Sequence, residues 1–211
     1  MYPPVSVLIF LALTKAAEEV VNYAKEWAAD ISTDELAGIV INHAIAAAAA
    51  GMAAGVLPGI SALISSGIAV GAIWHMYYAI GKYVHLTFGK DILKAAASAI
   101  LSNLAHQTWG YFAVEIAAMF IPLISIPATG FIFFAITYFS GLTFLLLLVA
   151  LFKAGKDPTE MSADDIKNEA KKVAEDIDFR EETKKVREGF KKIRKEGNFE
   201  EQARGVDIES D

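Results

Sequence analysis

The stretch that decides the fold is FIFFAITYFSGLTFLLLLVALF, residues 131–152, which is 22 residues long and carries no charge. A helix needs about 20 apolar residues to cross the hydrocarbon core of a bilayer. This run meets that length and is the strongest transmembrane candidate in the chain.

Immediately upstream stands IPLISIPATG, residues 121–130. Proline lacks an N–H and disfavours helix at the residue before it, so Pro122 and Pro127 are expected in a turn. Before the turn a helix is expected from Ile92 to Ile121. From Ala95 to Phe152 the only charge is Glu115. The same plan recurs earlier, where Leu36 to Gly81 has no Asp, Glu, Lys or Arg and is broken at Pro58-Gly59. One straight helix of that length would be roughly 70 Å long, about twice a hydrocarbon core. Two helices joined at Val56–Ile60 are therefore expected. The fold class predicted is all-α: an integral membrane protein of two Pro-turn helical hairpins, 36–81 and 92–152, within a membrane domain 35–153. No sequence identity between the hairpins supports a repeat.

The charged segments flank these blocks. Residues 1–34 contain an amphipathic helix expected from Pro4 to Ile31, with Phe10, Val20, Val21, Ala24 and Trp27 at helical spacing. It suits a surface or membrane interface, and without a basic n-region the start is a poor signal peptide. Residues 154–211 form a charged helical tail, and Lys153 to Asp211 holds 14 of the 19 basic and 17 of the 25 acidic residues. Ser162 and Asp165 fit an N-cap and N3 pair. Ile166, Ala170, Val173 and Ile177, then Phe179, Thr183, Val186, Phe190 and Ile193, make narrow apolar seams with a phase slip at Asp178. Such seams fit another helix or a membrane face. Ile177, Val186, Phe190 and Ile193 are thus candidate partner-binding residues.

Charge sets the sidedness. The loop with Lys82, Lys90 and Lys94 and the Lys153 and Lys156 flank are expected on the cytoplasmic side, with both termini there and the location a cytoplasmic membrane. Neither hairpin tip carries an ionisable group to drag through hydrocarbon, where it would cost roughly 2.5–3.5 kcal/mol. Gly51 and Gly55, and Gly67 and Gly71, form two small-xxx-small faces expected to pack against each other across the first hairpin, and to support self-association into a homo-oligomer.

Few residues invite chemistry. His43, His75 and His106 lie at roughly 22–28 Å from their tips by helical rise, so they could share one depth and bind a transition metal, or sit as interfacial histidines. Glu115 lies about 15 Å from its tip; an intramembrane acid either handles protons or ions or is a protonated, hydrogen-bonded structural residue, with Tyr138, Thr137, Asn103 or Asn42 as partners. There is no P-loop, HExxH or GxSxG, so no enzyme activity and no cofactor are expected. The chain has no cysteine and a net charge of −6 with no basic stripe, which argues against thiolate sites and against nucleic acid as a partner.

The succession Leu57-Pro58-Gly59-Ile60, a helix ending MYYAIGKYVHLTFGKDI, the turn IPLISIPATGF and a helix ending before FKAGKDP resembles the bacterial YcjF-like membrane domain family, a helical hairpin domain often fused to or encoded with Era-like GTPases. The resemblance covers roughly residues 40–156. It implies a membrane-embedded helical module that works through partners, a GTPase among them, and supplies no catalytic residues. The second turn departs from the pattern by carrying two prolines and no Pro-Gly pair, and the 211 residues contain no GTPase domain.

The function expected is a non-enzymatic membrane-embedded scaffold or membrane-shaping module with the lipid bilayer as partner; the alternatives are a small ion or proton channel or transporter using Glu115, and a pore-forming protein with a soluble state, for which the charged segments offer little cover for two blocks this long.

Overall fold

The computed structural model describes the backbone of residues 10–54, 61–108 and 125–195, and the side chains of 10–53, 71–106 and 128–195. Over these residues the chain is all-helical. The helices are α1 (Leu11–Ala24), α2 (Thr33–Ala54), α3 (Ser61–Tyr83), α4 (Lys90–Thr108), α5 (Ser125–Lys153), α6 (Ala163–Glu175) and α7 (Phe179–Lys195). Two of them, over Thr33–Ala53 and Ala128–Lys153, are long and apolar enough to cross a membrane.

Helix ends follow local chemistry. Ser32 Oγ accepts the Glu35 N–H at the start of α2, satisfying one of the donors that a helix start leaves unpaired. Ser162 caps α6 as expected, accepting from the Asp165 N–H at 3.2 Å. The phase slip at Asp178 is a helix break: Asp178 Oδ1 accepts from Arg180 and Glu181 N–H and opens α7. At the far end of α5, Gly155 takes a left-handed φ of +65° while Lys156 N–H reaches back to Leu151. That is the glycine stop a helix end favours. His85, with φ of +59°, closes α3 in the same way, with Leu86 N–H on Gly81.

The N-terminus of α5 differs from expectation. The helix starts at Ser125, so Pro127, expected in the turn, lies in its first helical turn. A proline is tolerated there because the first N–H groups of a helix have no intrahelical acceptor to lose. Pro58, Gly59, Gly55, Pro122 and Glu115 lie outside the described residues, as does the stretch of the expected 92–121 helix beyond Thr108.

α5 is the axle of the molecule. It packs against α1, α2, α3, α4, α6 and α7, most extensively against α2, while α4 has its largest contact with α6. Of the most apolar stretch of α5, 83% is buried inside the chain, against 50% for α2. Leu13, Val20 and Ala24 of α1, Leu36 and Val40 of α2, Leu93 and Ile100 of α4, and Ile166, Phe179, Val186, Phe190 and Ile193 of the tail belong to one buried cluster with α5 residues such as Phe134 and Leu145. The tail is therefore part of the same core as the apolar helices.

Several polar connections gather at one end. Trp27 Nε1–H donates to Val84 O at 3.1 Å and its ring packs edge-on to Phe152 at 5.5 Å. His85 meets Asp30 at 3.1 Å, and Lys153 pairs with Glu19. The charged loop after α3 and the flank after α5 thus share the end of the bundle where α1 finishes.

Candidate functional site

The element that most sets this chain apart is α5 with its cover, and three kinds of contact hold the cover in place. The first is close backbone approach. A methyl group added at Gly141 would lie 2.5 Å from Val40 Cγ1, one at Gly130 would lie 2.5 Å from Met52 Cγ, and one at Gly51 would lie 2.5 Å from Phe133 Cδ2. Val40 opposite Gly141 and Met52 opposite Gly130 make α2 and α5 antiparallel. Eleven residues is three helical turns, so Gly130 and Gly141 stand on one face.

Of the expected glycine faces, Gly51 packs on Phe133 of α5, and an added methyl at Gly71 meets nothing within 4 Å among the described residues. A ring that fills a glycine notch gains dispersion contact. The surroundings of Gly67 lie outside the described residues.

The second kind is aromatic. Tyr77 of α3 stacks on Phe144 at 4.1 Å and its hydroxyl meets Ser140 Oγ at 2.7 Å. Phe10, just before α1, contacts Phe134 and Tyr138 at 6.2 and 5.3 Å. From α7, Phe179 packs on Phe139 at 5.2 Å, and Phe190 packs on Phe131 and Phe134 at 5.6 and 5.4 Å. α7 therefore also runs antiparallel to α5, from its middle to its N-terminal end.

The tail seam is filled from within. Val186, Phe190 and Ile193 are buried, and Ile177 is half-buried against the same cluster. Of the two occupants that such a seam suits, a helix is found, and it belongs to the same chain. These four residues are therefore not an open partner surface. The outer side of α7 is charged: Arg180, Glu181, Lys184, Glu188, Lys191, Lys192, Arg194 and Lys195 are exposed.

The third kind is polar and was not foreseen. Tyr138 O–H donates to Glu182 Oε1 at 2.7 Å, with both residues buried. Lys185 Nζ stands 3.7 Å from the other carboxylate oxygen. Tyr138, one of the partners expected for Glu115, is thus engaged by the tail. Thr137 and Thr183, their sequence neighbours, are buried with no hydrogen-bond partner for either hydroxyl among the described residues.

The three histidines do not converge. His43 and His75 interact electrostatically, and His43 Nδ1 lies 2.8 Å from Ile39 O. His106 instead lines a groove of about 610 Å³ between α4 and α6, with Ser98, Ser102, Lys167 and Lys171. Among the described residues no group of three His, Cys, Asp or Glu side chains could hold a metal ion. A pair of imidazoles without a third ligand falls short of a typical site.

Comparison with protein-family models, curated proteins and solved structures finds no match to this chain.

Proposed function

We propose that this chain is a non-enzymatic membrane-inserting module that keeps its most apolar helix sheathed by its own amphipathic helices until it enters lipid. The observation that carries this reading is the position of α7. Phe179 packs at Phe139 and Phe190 at Phe131. By helical rise these α5 positions lie roughly 21 and 33 Å from Lys153, and a hydrocarbon core is about 30 Å thick.

Were α5 to span a bilayer from Lys153 with this packing, the start of α7, with its exposed Arg180, Glu181 and Lys184, would lie within the hydrocarbon of the far leaflet. Each charge at the centre costs roughly 2.5–3.5 kcal/mol or more. The packed form therefore suits water or a membrane surface, and a spanning α5 requires α7 to be elsewhere. A permanently embedded two-hairpin scaffold would leave the extensive cover of α5 without a purpose, since lipid needs no such cover.

On entry, the uncharged hairpin tips lead. The loop carrying Lys82, Lys90 and Lys94 and the Lys153–Lys156 flank stay on the cytoplasmic side by the positive-inside rule. Their gathering at one end of the bundle supports that orientation. A tail partner, such as the GTPase that the family resemblance implies, would meet the charged outer face of α7.

The test is fractionation of the full chain without detergent. The expected result is a soluble monomer in plain buffer that floats with added phosphatidylglycerol-containing vesicles and then resists alkaline carbonate. A chain recovered only in membranes, and never released without detergent, overturns the sheathed form.

A further inference from the structure

We propose that α7 is a releasable sheath over α5, and that the buried Tyr138–Glu182 pair is the latch that sets how readily it leaves. The inference rests on the sheathed-form reading and adds the segment that moves and the contact that governs it.

Three observations lead there. First, the only extensive neighbour of α7 among the described helices is α5. By comparison α6 is held by both α4 and α5. Detaching α7 therefore breaks one interface, with Asp176–Asp178 between the two tail helices as the connection that must bend.

Second, the interface is not uniformly apolar. Phe179, Val186, Phe190 and Ile193 are interrupted by Glu182, 5% exposed, hydrogen-bonded to Tyr138, 0% exposed. Removing a carboxylate from water is costly, and a hydrogen bond with a rim lysine offsets that cost only in part. An apolar pair of similar shape would hold α7 at least as well. The two neighbouring hydroxyls, Thr137 and Thr183, add further desolvation without a partner among the described residues.

Third, release leaves no charge on α5. Glu182 returns to water with α7, and what remains on α5 is a tyrosine. A tyrosine hydroxyl within hydrocarbon costs far less than a carboxylate would there. The charge thus leaves with the sheath and does not stay on the segment that enters lipid.

The experiment compares three full-length forms: the native chain, Tyr138→Phe, and Tyr138→Phe/Glu182→Leu. Hydrogen exchange in detergent-free buffer reads the opening of α7 against α2, and flotation with phosphatidylcholine/phosphatidylglycerol vesicles reads membrane entry. Tyr138→Phe strands a buried carboxylate. It is expected to lower protection of α7 amides roughly tenfold or more, with α2 unchanged, and to raise the vesicle-bound fraction in step. The double variant makes the layer apolar and is expected to return both readouts to the native level or below.

The latch falls if the double variant behaves as the single one, or if α7 and α2 lose protection together in every form. The two proposals also separate. If α7 protection follows the expected order but no form reaches vesicles, the latch stands and the membrane reading falls. If vesicle binding is the same whatever the protection of α7, the sheath falls and the membrane reading stands.

Discussion

At the scale of single residues the glycines of α2 and α5 give the sharpest contrast. Gly141 faces Val40, whose branched side chain cannot swing away, and Met76 Sδ at 3.0 Å. Gly141→Ala is therefore expected to destabilise the chain by about 1–3 kcal/mol through overpacking, read as a shift in the urea midpoint. An added methyl at Gly71 meets nothing within 4 Å among the described residues, so Gly71→Ala is expected to leave stability unchanged or raise it by up to about 1 kcal/mol through helix propensity. Equal effects would refute the assignment. The sequence displayed Gly51 and Gly71 because they belong to four-residue GxxxG patterns. It hid Gly130 and Gly141, which share a face only across three turns. It likewise offered Tyr138 as a partner for Glu115, because both lie in apolar runs; nothing in those runs announces a carboxylate arriving from the charged tail.

At the scale of helices, α6 and α7 are fastened differently. Lys156 and Lys172 both donate to Glu169 Oε1, at 3.1 and 3.3 Å, which ties α6 to the end of α5 and holds the Glu169 carboxyl below its ordinary value of 4.5. A carboxyl lowered on folding stabilises above its unfolded value, and that contribution is lost as pH falls through the lowered one. Glu169→Gln should therefore cost at most about 1 kcal/mol at neutral pH. The difference from the native chain should vanish in acid, as followed by thermal unfolding at stepped pH. For α7 the corresponding contact is Phe190, 3% exposed. Phe190→Ala is expected to cost about 3–5 kcal/mol, with circular dichroism as the measure. The tail helices and their narrow seams were legible from the spacing of apolar residues. The N-terminal end of α5 was not, because a proline such as Pro127 fits alike in a turn and in the first turn of a helix.

At the scale of the whole molecule, an apolar stripe states that something must cover it but not what. Lipid, a second protein and a neighbouring helix remove the same water, so length and hydropathy found the helices but could not assign their surroundings. Because tail, N-terminal helix and apolar helices share one buried cluster, thermal unfolding in detergent-free buffer is expected to be a single transition. Far-ultraviolet ellipticity and tryptophan fluorescence should coincide in it. Separate melting of residues 154–195 would mean that the tail is an independent unit. Local opening of α7 below that global transition is compatible with it, since native proteins open in parts.

Order of synthesis gives the antiparallel lie of α7 on α5 a further meaning. A ribosome makes Ser125–Lys153 first and reaches Lys195 only later, and at about 5–20 residues per second the gap is on the order of seconds. For that interval the greasiest part of the nascent chain has no lid, and whichever arrives first, a bilayer or α7, decides where the newborn protein resides.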